Sequence, residues 1–250
     1  MITLKSKREI ELMTRAGAVL KQVFENVKPA VTVGVTTRDL DKIAEETILN
    51  AGAEIAFKGY RGFPATCCIS VNEEVVHGIP SDRKLCEGDL VSVDVGASVE
   101  GYFSDAARTW PVGKIDKQRK HLMDTARDSL KAGLSAYKPG CRIGDLSAAI
   151  EQLIKSRGFE VVREYVGHGI GKKIHEDPQV PNYGKSGYGP RIEPGLVLAI
   201  EPMVTEGHYA VETLKDGWTV VTKDRKWASH HEETIVFTEK GFICLTGEIS

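Results

Sequence analysis

The chain has 250 residues, of which 41% are hydrophobic and 27% charged, an ordinary globular composition with enough apolar residues for a substantial core. Its formal net charge of −2, with both signs interspersed, argues against nucleic acid as a primary partner, and no apolar run reaches the roughly 20 residues of a membrane span. Five scattered cysteines are too sparse for a disulfide scaffold, so we expect a cytoplasmic protein with reduced thiols and no membrane partner.

The first predicted elements are two helices followed by a strand. Hydrophobic periodicity predicts an amphipathic helix over residues 7–27 and a second helix that begins at Thr36 or Thr37 and ends near Gly52. Residues 88–94, with the sequence GDLVSVD, predict a buried strand that ends in a carboxylate. The first half of the chain is therefore predicted to combine helices with a sheet.

The same pattern returns in the second half of the chain. Residues 117–137 predict another long helix, and residues 144–158 predict another shorter one. Residues 195–201, with the sequence GLVLAIE, predict a second buried strand that ends in a carboxylate. The order of the predicted elements is thus the same in both halves.

This repeat indicates one domain made of two related parts. Only two copies are present, which is too few for a solenoid. We therefore predict an α+β fold in which residues 1–250 form a single domain, with halves of roughly 1–115 and 116–250. A pseudo-twofold axis would relate the halves, so that their strands converge on one central cleft.

Two aspartates in the first half suggest a cation site. Residues 91–110 place Asp94 and Asp105 on strand-like segments separated by the turn-prone Glu100-Gly101, so a hairpin would bring the two aspartates together. Facing aspartates in a core repel each other and lose hydration, which a bound cation would offset. The alternative, an exposed hairpin with solvated aspartates, is equally open for this pair alone.

Histidines and glutamates of the second half extend this set. His168 lies between two glycines, which would let the backbone approach closely and expose the imidazole, and His175 follows it. A lone histidine is more often structural than a metal ligand. Here, however, Glu201 and the Glu232-Glu233 pair lie beside apolar strands and supply further acids. Four acids with one imidazole suit two oxygen-bound divalent ions.

Five segments resemble one enzyme family over nearly the whole chain. In chain order they are YRGFPATCCISVNEEVVHGIP (60–80), VSVDVGASVEGYFSDAARTW (91–110), YVGHGIGKKIHEDP (165–178), GPRIEPGLVLAIEPM (189–203) and WTVVTKDRKWASHHEETI (218–235). They resemble the bacterial-type (type I) methionine aminopeptidases of peptidase family M24, which have a duplicated pita-bread fold around a dinuclear metal cleft. The resemblance implies a hydrolase that removes the initiator methionine from nascent proteins, prefers a small second residue and uses a metal-activated bridging water.

By this resemblance, five residues bind two divalent ions and others act on or bind the substrate. The implied metal ligands are Asp94, Asp105, His168, Glu201 and Glu232. The ions could be Co²⁺, Mn²⁺, Fe²⁺ or Zn²⁺. The implied catalytic residues are Glu201, as proton shuttle, with His77 and His175 at the scissile peptide. The implied substrate-binding residues are His77, His175, Tyr60, Phe63, Cys68 and Trp218.

Strand geometry separates two pairs of adjacent residues. If their segment is a strand, only Cys68 of the pair Cys67-Cys68 lines the methionine slot, while Cys67 packs away from it. Glu232 and Glu233 must likewise project to opposite faces, and the motif spacing places the ligand at Glu232. The alternative is that both glutamates are solvated on a frayed strand end.

Three positions depart from the usual residues of the family. They are Phe57, Ile174 and Glu233, which leave the ligand set intact and bear on pocket shape and specificity. The expected partners are peptides with an N-terminal methionine and nascent chains, and a monomer is expected. The ribosome is a further candidate partner.

Three alternatives share the fold. An Xaa-Pro aminopeptidase or prolidase usually carries an additional N-terminal domain. A binding module for peptide or RNA would have lost the metal ligands. A metal-free, creatinase-like enzyme would leave the clustered acids without a neutralising charge.

Overall fold

The computed structural model describes residues 1–247, and its helices lie where the hydrophobic periodicity places them. Within those residues there are four α-helices, namely α1 (Lys7–Val27), α2 (Thr37–Asn50), α3 (Lys117–Ser135) and α4 (Ile143–Ser156). None of these four is long and apolar enough to cross a membrane. The predicted pairing of a long helix with a shorter one in each half is confirmed, with slightly different ends.

Side-chain caps fix where the first two helices begin. The Ser6 hydroxyl accepts a hydrogen bond from the backbone N–H of Glu9 at 3.4 Å, and the Glu9 carboxylate accepts one from the Ser6 N–H at 2.7 Å. Thr36 and Asp39 repeat this arrangement at α2, so Thr36 and not Thr37 is the cap residue. Each cap satisfies backbone donors of the first helical turn and contributes roughly 0.5 to 2 kcal/mol.

The strands of the first half pack against α1 and α2. They are β1 (Glu54–Ile55), β2 (Cys67–Val71), β3 (Glu74–Val76), β4 (Leu90–Val99) and β5 (Tyr102–Pro111). β4 pairs antiparallel with β1, β2 and β5. The predicted hairpin is confirmed, since Glu100 and Gly101 both have positive φ and join β4 to β5.

The prediction that the first-half strand ends at Asp94 is wrong. β4 continues to Val99, so Asp94 lies in its middle. Val95 and Ala97 are buried and pack into the core of the first half. The chain therefore gains more buried apolar surface by continuing through Gly96 than by turning there.

The second half contains the remaining strands. They are β6 (Glu160–Val161), β7 (Gly167–Gly169), β8 (Glu176–Val180), β9 (Val197–Ile200), β10 (Met203–Thr205), β11 (Val211–Thr213), β12 (Val220–Thr222), β13 (Ala228–His230), β14 (Glu233–Thr238) and β15 (Gly241–Cys244). One sheet has the order β15-β14-β9-β7-β8, a second β13-β10-β6, and a third β11-β12-β3. Glu201 follows β9 directly, so the prediction of a strand ending in a carboxylate is confirmed for this half.

Each half has its own hydrophobic core. In the first, α1 and α2 pack on the sheet through residues such as Leu20 and Val93. In the second, α3 and α4 pack against the strands, and this core includes Leu130 of α3 and Leu198 of β9. Met13 of α1 packs in a separate buried cluster with strands of the second half, which links the two cores.

The halves meet where β5 runs beside the start of β14. The backbones of Ala107 and Glu232 exchange two hydrogen bonds, of 3.3 and 3.0 Å. The Thr234 hydroxyl donates to the carbonyl of Asp105 at 2.8 Å and accepts from its N–H at 2.9 Å. The Arg108 guanidinium donates to the carbonyl of Glu232 at 2.7 Å. This seam places acids of the two halves side by side.

Candidate active site

Asp94 and Asp105 lie on neighbouring strands of the first half. Asp94 is opposite Ala107 and Asp105 is opposite Gly96, so the two aspartates are diagonal neighbours on one face of the sheet. Both are buried, and one carboxylate oxygen of each has no hydrogen-bond partner. The predicted approach of the two aspartates is confirmed, and the exposed hairpin is wrong.

The second half brings His168 beside Glu201. His168 is opposite Ala199, two residues before Glu201, and its Nε2 lies 3.6 Å from Oε1 of Glu201. Its Nδ1–H donates to the Gly169 carbonyl at 2.9 Å, which leaves Nε2 free to bind an ion. A Cβ added to Gly167 or Gly169 would lie 2.4 or 2.1 Å from a backbone oxygen. The close backbone approach predicted for these glycines is confirmed.

Glu232 joins this group from the seam. One ligand atom each of Asp105, His168 and Glu232 lies within 4.8 Å of the others, and all three residues are buried. Glu201 adjoins His168, and Asp94 is the diagonal neighbour of Asp105 on the same sheet face. The structure thus brings all five predicted ligands together as one acid cluster, defined as Asp94, Asp105, His168, Glu201 and Glu232.

Burial opposes ionisation throughout the acid cluster. It raises the pKa of Asp105 to about 7. Burial, followed by repulsion from Asp105, holds the pKa values of Asp94, Glu201 and Glu232 well above their usual range. Burial also lowers the pKa of His168 to about 4, so the imidazole is neutral. A bound cation would favour the carboxylates, and carboxylate oxygens with a neutral imidazole are a donor set that fits divalent transition-metal ions.

Glu233 faces away from the acid cluster and contacts polar and charged side chains on the other side of its strand. Its carboxylate lies 2.7 Å from Arg108, accepts from the Thr246 hydroxyl at 2.6 Å and lies 3.7 Å from His231. Burial acts to raise the pKa of Glu233, but the nearby imidazole of His231 and the charge of Arg108 lower it to about 2. The predicted opposite projection of Glu232 and Glu233 is confirmed. The frayed strand end is wrong, since both glutamates are buried.

An apolar slot adjoins the acid cluster. Its side chains pack together and include Tyr60, Phe63, Cys68, Trp218, Phe57 and Ile174. Cys68 of β2 is directly opposite Asp94 of β4, so the slot opens beside the acids. Cys67 packs in the core of the first half instead, as predicted from strand alternation.

Two of the unusual residues fill space beside a glycine in the slot. A Cβ added to Gly96 would lie 2.9 Å from the Phe57 ring and 3.1 Å from the Ile174 side chain. Phe57 and Ile174 therefore help to shape the slot, whereas Glu233, the third departure, lies on the other side of its strand.

A cleft of about 1070 Å³ gives access to the acid cluster and is lined by His77 and His175. The ring of His175 lies 4.3 Å from that of His168, and its Nδ1 is 3.0 Å from the Tyr60 hydroxyl. Burial, then repulsion from His175, lowers the pKa of His77 to about 4. His77 also has φ of 60°, a left-handed conformation that few residues other than glycine adopt.

His230 was not among the residues predicted from the sequence. This residue is 1% exposed, and neither of its ring nitrogens has a hydrogen-bond partner. Its Nε2 lies 3.9 Å from Glu201 and 4.0 Å from Glu232. The available signal was strand alternation, because His230 stands two residues before Glu232 and so shares its face.

Comparison with protein families gives a match over most of the chain. The model of metallopeptidase family M24 matches residues 11–239. Methionine aminopeptidase 1 of Bacillus subtilis is 49% identical over 246 residues, which cover 98% of this chain and 99% of the relative. The methionine aminopeptidase of Clostridium perfringens is 48% identical, with the same coverage.

Solved structures show the same similarity. The methionine aminopeptidase from Thermotoga maritima has a TM-score of 0.97 and 45% identity, with 99% of this chain and 100% of that one covered. The prolidase from Pyrococcus furiosus has a TM-score of 0.79 and 25% identity. That alignment covers 99% of this chain but 66% of the prolidase, which is the longer chain.

Proposed function

The chain belongs to metallopeptidase family M24 and has its pita-bread fold, and from this premise we infer that it is a methionine aminopeptidase, which removes the initiator methionine from new polypeptides. The observation that carries this function is the position of the slot, where Cys68 lies directly opposite Asp94. A methionine side chain in the slot would therefore present its own peptide bond to the acid cluster.

Divalent metal is the cofactor of this hydrolase. We propose that two ions bind and that Asp94, Asp105, His168, Glu201 and Glu232 would hold them. Bound divalent ions polarise a carbonyl oxygen and lower the pKa of water, which provides a nucleophile at neutral pH. Availability would select among Co²⁺, Mn²⁺, Fe²⁺ and Zn²⁺.

We propose that Glu201 carries the proton. Its carboxylate lines the same cleft as His77 and His175, where it can meet the attacking water. It would accept a proton from the attacking water and pass it to the leaving amine. His77 and His175, which line the same cleft, would donate hydrogen bonds to the scissile peptide and to the oxyanion that develops from it.

The slot supports a preference for methionine and a small second residue. Phe63 and Trp218 meet edge to face, with ring centroids 5.1 Å apart, and such aromatic walls suit a flexible, polarizable thioether. His77 and His175 line the cleft beside the acid cluster, where we propose that the peptide continues. A large side chain after the methionine would meet these imidazoles.

The expected cellular setting is also a proposal. We propose that the substrates are peptides with an N-terminal methionine and nascent chains in the cytoplasm, and that the active form is a monomer. All five cysteines are free, which agrees with a reducing compartment.

Release of free methionine from short peptides tests this function. Metal-loaded protein should cut Met-Gly and Met-Ala peptides, and should cut Met-Lys and Met-Phe peptides slower by on the order of 100-fold, because the larger residue would meet His77 and His175. An N-acetylated Met-Ala peptide and an Ala-Pro dipeptide should remain intact. Equal cleavage of all four methionyl peptides would contradict the assigned specificity, and cleavage of Ala-Pro alone would indicate a prolidase.

A further inference from the structure

His230 is a buried histidine whose polar atoms are unsatisfied. It ends β13, pairs with Met203 of β10 and is 1% exposed. Neither Nδ1 nor Nε2 has a hydrogen-bond partner among the described residues. A buried polar group without a partner destabilises the fold, so such a group persists when something outside the chain satisfies it.

The surroundings of Nε2 indicate what that partner is. Nε2 lies 3.9 Å from Oε2 of Glu201 and 4.0 Å from Oε2 of Glu232, too far for hydrogen bonds. Metal–nitrogen and metal–oxygen bonds are about 2.0 to 2.2 Å long, so two ligand atoms of one ion can stand up to roughly 4.2 Å apart. Both separations fit two atoms that share an ion.

Glu201 shows the same relationship on its other side. Its Oε1 lies 3.6 Å from Nε2 of His168, whereas its Oε2 faces His230. Each oxygen of this carboxylate thus has one imidazole nitrogen at a distance suited to a shared ion. A neutral imidazole carries a lone pair on one ring nitrogen, which it can give to a metal.

We propose that Nε2 of His230 is a sixth protein ligand of the metal centre, so that two imidazoles hold the ions. This inference rests on the metal centre proposed above and adds a nitrogen donor on the side where Glu201 and Glu232 meet. A second imidazole favours ions that prefer nitrogen, such as Zn²⁺, Co²⁺ or Fe²⁺, over Mg²⁺ or Mn²⁺.

The neighbouring His231 provides a matched control. It has the same side chain one residue away, but it faces Glu233, with Nε2 3.7 Å from that carboxylate. Replacing His231 should therefore leave the metal centre unchanged, while replacing His230 should alter it.

Proton NMR of the full chain loaded with Co²⁺ tests the proposal directly. Paramagnetic Co²⁺ shifts the exchangeable N–H proton of each bound imidazole far outside the normal range, so such signals count the histidine ligands. We expect two in the wild type and in His231→Gln, and one in His230→Gln. Calorimetric titration with Co²⁺ should show a loss of affinity of about tenfold or more in His230→Gln, since even outer partners of a ligand contribute 10- to 100-fold.

One shifted exchangeable signal in the wild type, or an unchanged affinity in His230→Gln, would overturn the proposal. The wild-type count decides the matter even if His230→Gln fails to fold. Failure of the proposed function is distinguishable, because a chain that binds no Co²⁺ and releases no methionine loses both proposals. A chain with one imidazole ligand that still releases methionine loses only the role of His230.

Discussion

In residues 230–233, one histidine and one glutamate face the cleft, and another histidine and glutamate face the core. The two pairs differ in their hydrogen-bond partners and in the pKa of the glutamate. His230 and Glu232 face the cleft, where the ring nitrogens of His230 lack partners and burial raises the pKa of Glu232. His231 and Glu233 face the core, where Arg108 and Thr246 also bind Glu233. The two glutamates are equally buried. Burial therefore does not distinguish a functional acid from a structural one. The distinguishing feature is whether the acid has hydrogen-bond and ion-pair partners within the chain.

Removal of metal should have the largest effect on activity. It should leave the core-facing residues and most of the fold unchanged. A chelator should abolish methionine release while most of the fold remains, because each half has its own core. Added Co²⁺ or Mn²⁺ should restore the activity. Circular dichroism and methionine release, measured on one sample, check both statements. Full activity in demonstrably metal-free protein would eliminate the dinuclear mechanism.

Glu232→Ala should come next, with loss of bound metal and of activity. The substitution removes a carboxylate proposed to hold the ions, so the remaining acids should bind them poorly. In the metal-free state it also removes a source of repulsion, so the free energy of unfolding should stay constant or rise. Elemental analysis and urea unfolding measure the two effects. Retention of both ions in this variant would show that the ligand has been assigned to the wrong residue.

Glu201→Gln should lower kcat by about 10²- to 10⁴-fold, because glutamine can neither accept the proton nor contribute a ligand charge. KM should change less, since the slot remains intact. Steady-state kinetics with a Met-Ala peptide, together with metal analysis, give the comparison. Near-normal turnover with both metals bound would require another base.

Glu233→Ala should have the smallest effect on catalysis. In contrast to Glu232→Ala, it should lower the free energy of unfolding. It leaves the half-buried charge of Arg108 without its partner, which should cost about 3 kcal/mol of unfolding free energy. Both ions and a measurable rate should remain. Urea unfolding beside Glu232→Ala provides the matched control. If Glu233→Ala lost the metal and Glu232→Ala kept it, the assigned register would be off by one residue.

The start and the apolar face of a helix could be predicted from the sequence, because residues close together in the chain determine both. The start of α2 follows from the reciprocal cap of Thr36 and Asp39, and its apolar face follows from helical spacing. The end of β4 was mispredicted from residues 88–94 alone, because pairing with β1 and β5 extends the strand beyond Asp94.

The candidate site shows the same limit. Asp94 and Asp105 could be paired from one hairpin, and alternation could separate Glu232 from Glu233. His230 was missed because its importance depends on Glu201, which only the three-dimensional arrangement brings within 3.9 Å. A histidine in an apolar segment is usually structural, and only the absence of partners in the folded chain reveals otherwise.

The seam between β5 and β14 makes each copy of the repeat depend on the other. Asp94 and Asp105 come from the first copy, whereas His168, Glu201 and Glu232 come from the second. A single copy would have to associate with another through a self-complementary surface to assemble such a centre. When two copies are joined in one polypeptide, they no longer have to meet by diffusion. Each copy is then held near the other at a fixed effective concentration. It also lets the copies mutate separately, which is how the second copy alone can supply the imidazole of the acid cluster.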